Sequence, residues 1–155
     1  MPDAATALKS GTKVSQKNME DFHYQRLEAV ARHAPSWECV DVIAFETIPR
    51  LDEAIAIRKA LLRLFSKYDS KSTFASFVFP NGTNLPWPKE ASKDLSLDAM
   101  LDKVIGTDEP GQASPFDGIG INCTKPWYLD DLVQRMTASL ERCNVARSPY
   151  LYVSV

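Results

Sequence analysis

Four short apolar runs alternate with longer stretches of helical periodicity along this chain, and that alternation restricts the fold more than any other feature. The runs are residues 40–45 (V-D-V-I-A-F), 72–79 (S-T-F-A-S-F-V-F), 117–121 (D-G-I-G-I) and 149–155 (P-Y-L-Y-V-S-V). The first is mostly apolar and not strictly alternating, which suits a strand covered on both faces of a parallel sheet. Between the runs, apolar residues recur at helical spacing from Ser15 to His33, over 51–68, over 95–105 and over 128–140. Pro35 is expected to stop the first helix, because a proline pushes its predecessor out of helical geometry. Helices and strands in this order imply parallel strands joined by right-handed crossovers, with the C-terminal end of every strand on one rim. Glu46, Phe79 and Cys123 each fall at such an end.

Two α/β architectures fit: an open doubly wound sheet, or part of an eight-stranded (β/α)8 TIM-type barrel. Four strands cannot close a barrel, so the second reading makes the chain a fragment, and a final apolar strand with no cap after it favours that reading. Neither G-x-G-x-x-G nor G-x-x-x-x-G-K-[ST] occurs, which counts against a nucleotide-binding doubly wound sheet.

At 155 residues the chain is one domain by length, with residues 1–17 read as a polar N-terminal tail. Its 18 basic and 20 acidic residues are interspersed and give a net charge of −2, so no field for nucleic acid exists. No apolar run approaches the ~18 residues that cross a bilayer, and the first residues lack the apolar centre of a secretory signal. A cytoplasmic protein without membrane contact is expected. Cys39, Cys123 and Cys143 are odd in number and irregular in spacing, so reduced thiols are the default.

Within residues 117–126, Gly118 and Gly120 allow close backbone approach around Ile119 and Ile121, and the strand delivers Cys123 to the rim. A cysteine there is commonly an inert small residue; its neighbours at the rim are what give it chemical interest. Glu46 closes an apolar strand. It either forms a structural ion pair or helix cap, or holds the ammonium of an amino-acid ligand. Asn122 either braces a neighbouring loop or orients a ligand. Asp117 is read as a turn residue, and His23 and His33 as polar-face or packing residues of the first helix. Ser76 lacks the His/Asp partners of a serine nucleophile. The long loop over 80–93, containing Trp87, is of the kind that carries function.

Taken in order, A-F-E-T-I-P at 44–49 with Glu53 and Ala54 after it, S-F at 76–77, N-G at 81–82 and G-I-N-C-T at 120–124 resemble the homocysteine S-methyltransferase family. F-H-x-x-R at Phe22, His23 and Arg26 also resembles the helix preceding that family's F-E-T strand. The resemblance implies that residues 18–155 are a partial homocysteine-binding barrel domain, about strands 4–7. It implies methyl transfer from a sulfonium donor, S-methylmethionine or S-adenosylmethionine, to homocysteine, giving methionine. Zinc is implied as cofactor, held by three cysteine thiolates, of which Cys123 is one. Glu46, Thr47 and Asn122 become substrate-binding residues, with Glu46 at the homocysteine amino group.

The chain departs from that pattern in lacking the adjacent cysteine pair and the opening strands. Cys39 and Cys143 precede strands and so sit on the opposite rim, about 17–20 Å away, whereas zinc–sulfur bonds are about 2.3 Å. The chain alone is therefore expected to be inactive, and its open sheet edges to drive self-association. The competing reading is a non-catalytic half-barrel that binds an amino acid or regulates another chain.

Overall fold

The computed structural model describes residues 14–86, 96–106, 114–142 and 150–153. Helix α1 (Gln16–Ala31) and a short α2 (Ala34–Glu38) lead into strand β1 (Val42–Ile48). Helix α3 (Leu51–Phe65), strand β2 (Ser72–Phe77), helix α4 (Leu97–Ile105) and strand β3 (Gly118–Ile121) follow. A 3-10 turn (Pro126–Tyr128), helix α5 (Leu129–Arg142) and strand β4 (Tyr150–Val153) complete the described elements. The tail over 1–13, the Trp87 loop, Cys143 and the last two residues lie outside them.

All four strands are parallel and lie in the order β1-β2-β3-β4. Doubly wound sheets reverse their strand order at a switch point, and this sheet does not. Its sequential order, each strand preceded by a helix, is consistent with a partial TIM-type barrel. No helix among the described residues is long and apolar enough to cross a membrane.

Three boundaries differ from the sequence expectation. The first helix ends at Ala31, before Pro35, and the proline then opens α2, where its fixed φ and missing N–H suit the first turn. Strand β1 starts and ends later than expected, because pairing with β2 continues beyond Phe45 through an irregularity. Nor is β1 covered on both faces: Ala44 and Glu46 are exposed, and Val42 is 52% exposed.

The core lies between the sheet and its helices. Ala54, Ile57, Leu61 and Leu64 form one stripe of α3, spaced at three and four residues, and all are buried. Ala54, Ile57 and Leu61 share one cluster with Ala75 and Phe77 of β2, Ile119 and Ile121 of β3, and Leu101, Val104, Leu132 and Met136 of α4 and α5. Burial of each Leu, Ile, Val, Phe or Met side chain among them contributes about 1.5–3 kcal/mol. A second cluster of Tyr24, Ala31, Trp37, Ala60 and Leu64 fastens α1 and α2 to the outside of α3, and Trp37 Nε1 donates to the Asp69 carbonyl at 3.1 Å. Ser15 and Ser96 cap α1 and α4 by accepting from the Asn18 and Ala99 amides, each at 3.1 Å.

Acidic groups tie these helices together. Burial works to raise the Asp52 carboxyl, but the Arg50 guanidinium, at 2.9 and 2.5 Å, overturns that and holds it below its ordinary value. Asp21, Glu28 and Asp98 are lowered too, chiefly by Lys17, by the Tyr24 hydroxyl and by Ser139 respectively. A depressed folded-state pKa contributes stability that is present above the unfolded value and lost as pH falls through the folded one. The urea midpoint should therefore hold steady from pH 7 to about pH 5 and fall below about pH 4. Asp52→Asn should lower the midpoint at pH 7 and show a smaller loss between pH 7 and pH 3 than the parent chain.

Candidate functional site

Strands β1 and β3 are not neighbours, yet their C-terminal ends meet across the end of β2. The cause is local. Phe45 pairs with Ala75 and Ile48 with Phe77, so β1 places Glu46 and Thr47 where β2 has Ser76 alone. That extra residue is a β-bulge, a device that re-aims side chains at sheet rims. Thr47 absorbs it with φ 59°, the left-handed region that β-branched residues avoid.

The turn after β3 carries a second residue in that region, Cys123, with φ 48°. Its neighbours hold it to the end of β2. The Asn122 amide donates to the Phe77 carbonyl at 3.1 Å. Thr124 Oγ1 accepts from the Phe79 amide and donates to the Asn122 carbonyl, each at 3.0 Å. The two left-handed residues touch: Thr47 Oγ1 lies 3.7 Å from Cys123 Sγ. The Asn122 side chain spans the gap, Oδ1 accepting from the Thr47 amide at 3.1 Å and Nδ2 donating to Thr47 Oγ1 at 2.7 Å.

Thr47, Asn122 and Cys123 are thus brought together, and the Asn122 side chain ties the turn after β3 to the bulged end of β1. Glu46 stands beside them, exposed and without a hydrogen bond or ion pair among the described residues. Among the described residues neither structural reading of Glu46 finds a partner: α3 is capped at Arg50 with no side-chain bond, and no cation pairs with the carboxylate. Because Glu46 is exposed, the anticipated desolvation penalty does not arise either.

Asp117 stands just before β3 and braces it against β2, its amide donating to the Thr73 carbonyl at 2.8 Å and its Oδ2 accepting from the Thr73 amide at 3.2 Å. Ser76 faces away from Ala75 and Phe77, and its buried hydroxyl has no hydrogen-bond partner among the described residues. Cys39 is exposed at the C-terminus of α2, just before β1 and away from the rim.

Sequence reasoning missed a cavity of about 400 Å³ along β1. Ala44 and Glu46 line it from one face of the strand and Ile43 and Phe45 from the other, so it wraps the strand's outer edge. His23 and Arg26 close it from α1, and His23 Nε2 reaches Glu53 Oε1 at 3.4 Å. The F-H-x-x-R spacing, one helical turn from His23 to Arg26, was the available signal; the structure gives it a wall of this cavity. Cys123 is not part of the lining.

The metal implied by the resemblance is not accommodated by this set alone. No group of three His, Cys, Asp or Glu residues able to hold a metal occurs among the described residues, and one thiolate does not make a zinc site.

Strain of this kind costs stability and should be measurable. A non-glycine residue in the left-handed region costs about 1–2 kcal/mol, part of which glycine returns through its unfolded-state freedom. Cys123→Gly is expected to raise unfolding free energy by about 0.5–1 kcal/mol in urea titration. A loss would show that the Cys123 side chain stabilises the rim by more than its backbone strains it.

The model of the family described as homocysteine S-methyltransferase matches residues 2–153. Homocysteine S-methyltransferase 2 of Arabidopsis thaliana is 29% identical over 124 residues, covering 79% of this chain and 31% of that protein. Selenocysteine Se-methyltransferase of Brassica oleracea var. italica is 27% identical over 141 residues, covering 91% and 33%. Homocysteine S-methyltransferase 3 of Arabidopsis thaliana is 29% identical over 123 residues, covering 79% and 30%. The chain spans about a third of the length of these relatives. No solved structure matches it significantly.

Proposed function

This chain belongs to the homocysteine S-methyltransferase family, and from that premise we propose that it supplies strands four to seven of a barrel that methylates the sulfur of homocysteine to give methionine. The observation that supports the reading is the contact of Thr47 with Asn122 and Cys123, which joins the F-E-T and G-I-N-C segments at one rim. Strands that share a C-terminal rim put their binding residues there in α/β barrels.

Each residue takes a role its chemistry allows. The Glu46 carboxylate, exposed and without a partner among the described residues, accepts the substrate ammonium, a charge-assisted contact. Cys123 contributes one of three thiolates for zinc, with two more from outside this sequence. The methyl donor is a sulfonium, S-methylmethionine or S-adenosylmethionine. Reduced thiols suit a reducing compartment, so the location that goes with this reading is the cytoplasm.

The test is a methyl-transfer assay on the sequence extended in both directions to the length of its relatives, with homocysteine and selenocysteine as alternative acceptors and each sulfonium as donor. Transfer to homocysteine is expected. Cys123→Ser should lower turnover by more than about a hundredfold, since even the partners of metal ligands are worth 10- to 100-fold. Glu46→Gln should raise KM for homocysteine about 10- to 100-fold, the worth of one hydrogen bond to a charged group. Full activity in Cys123→Ser, or no transfer from either donor, would remove the reading.

A second reading, a non-catalytic half-barrel that pairs with another chain, is favoured by the exposed residues along the outer edge of β1, Val42 and Ala44. Exposed apolar strand edges template further pairing. The chain as given should sediment as more than a monomer at micromolar concentration, and Val42→Lys should shift it toward monomer. A monodisperse monomer of the parent chain would count against any pairing through that edge.

A further inference from the structure

We propose that Asn122 is a positioning residue for Glu46: its side-chain amide holds the peptide bond between Glu46 and Thr47, and so fixes where the Glu46 carboxylate stands, without touching substrate itself. This role rests on the reading of Glu46 as the acceptor of the substrate ammonium. The carboxylate makes no hydrogen bond or ion pair of its own among the described residues, so its place is set by its backbone. The sheet ladder does not supply that constraint. Pairing between β1 and β2 stops at Phe45 and resumes at Ile48, which leaves Glu46 and Thr47 outside it.

Asn122 supplies it instead. The Thr47 amide can only donate, so the Asn122 atom 3.1 Å from it is the carbonyl oxygen, and the nitrogen lies 2.7 Å from Thr47 Oγ1. A peptide unit is planar, so a hold on the Thr47 N–H is also a hold on the Glu46 carbonyl and Cα. Thr47 keeps φ 59° under that hold. The brace is itself anchored: the Asn122 amide donates to the Phe77 carbonyl at 3.1 Å, and its carbonyl accepts from Thr124 Oγ1 at 3.0 Å. Phe77 is fully buried, so the backbone under Glu46 is tied to the core of the sheet. With both ends of its amide engaged and only 5% of it exposed, Asn122 has little left to offer a ligand.

The hold is read on the chain as it is by residue-resolved amide hydrogen exchange. In Asn122→Ala the Thr47 amide should exchange at least about tenfold faster, while the Phe79 amide, held by Thr124, is unchanged. Asn122→Asp keeps an acceptor at the same reach and should leave the Thr47 amide protected. Thr47 exchange unaffected by Asn122→Ala, or accelerated equally by Asn122→Asp, would overturn the hold. Asn122→Ser, too short to span the gap, takes the place of the alanine variant if that one does not fold.

The consequence for Glu46 is read on the sequence extended to the length of its relatives, as a double-mutant cycle on KM for homocysteine. Asn122→Ala should raise KM about 3- to 30-fold and leave kcat within about threefold, since a misplacement near 1 Å is worth about a hundredfold. In a Glu46→Gln background the same change should move KM by less than about twofold, because the charge it positions is gone. Asn122→Asp should keep KM within about threefold of the parent. Two KM effects that multiply would mean that Asn122 meets substrate independently of Glu46, and a lowered kcat at parental KM would mean that it serves its neighbour Cys123; either overturns the role. These failures are distinct from failure of the proposed function, in which neither donor supports transfer or Glu46→Gln keeps the parental KM, and which would remove the positioning role along with the activity.

Discussion

Phe77→Ala is expected to lower the unfolding free energy by about 3–5 kcal/mol, the usual cost of emptying a buried aromatic site. Phe77 is fully buried at the C-terminal end of β2, in register with Ile48 on one side and Ile121 on the other. It belongs to the main core cluster with residues from α3, α4 and α5, so a cavity there loosens several elements at once. Domains have about 5–15 kcal/mol to lose, so the variant should be close to unfolded at 37 °C. Urea titration should show the midpoint falling by about 1.5–2.5 M for a slope of about 2 kcal/mol/M. Val42→Ala, at an exposed site of β1, should move it by no more than about 0.5 kcal/mol. A Phe77→Ala loss below about 1.5 kcal/mol would mean that the sheet and helices close over the gap.

Gly82→Ala should cost about 2–5 kcal/mol, through two mechanisms that add. Gly82 has φ 73°, where a side chain costs about 1–2 kcal/mol. A Cβ there would also stand 2.6 Å from Cγ and Cδ1 of Tyr128, and such overpacking costs about 1–3 kcal/mol. The turn is otherwise secure, with Asn81 Oδ1 accepting from the Thr83 and Asn84 amides at 3.1 and 3.0 Å. Tyr128 therefore lies flat on a glycine and joins the loop after β2 to the turn that opens α5. Gly82→Ala combined with Tyr128→Ala separates the mechanisms. The double variant retains the backbone strain and should lose less than the sum of the two single changes. Strict additivity would show that the ring and the Cβ never meet.

Periodicity carried most of the architecture because burial is a one-dimensional signal on a helix. Ile57, Leu61 and Leu64, or Leu97, Met100, Leu101 and Val104, repeat at the spacing of one helical face, and all of them are buried. Alternation of helices with apolar runs implied parallel strands for the same reason: a crossover helix must return the chain to the same end of the sheet. Glu46 and Cys123 were placed on one rim without coordinates, since each follows its apolar run. The family was also legible, because its F-E-T and G-I-N-C segments keep their order.

What required the folded chain was everything set by contacts between segments distant in sequence. Nothing near Thr47 announces a bulge; it exists because β1 and β2 pair out of step after Phe45, a property of two strands jointly. Left-handed geometry at Thr47 defies local preference and is held where Asn122, 75 residues away, satisfies both ends of its side-chain amide; at Cys123 it is held by the bonds of Asn122 and Thr124 to the end of β2. The cavity beside β1 likewise depends on where α1 lands, and α1 lands there because Tyr24 and Ala31 pack with Ala60 and Leu64 of α3. Residue type and spacing are sums over neighbours in the chain, so the sequence by itself determined the elements, their order and the rim. Register, bulge and clamp are free-energy minima of pairs far apart in that chain, and only the tertiary structure decided them.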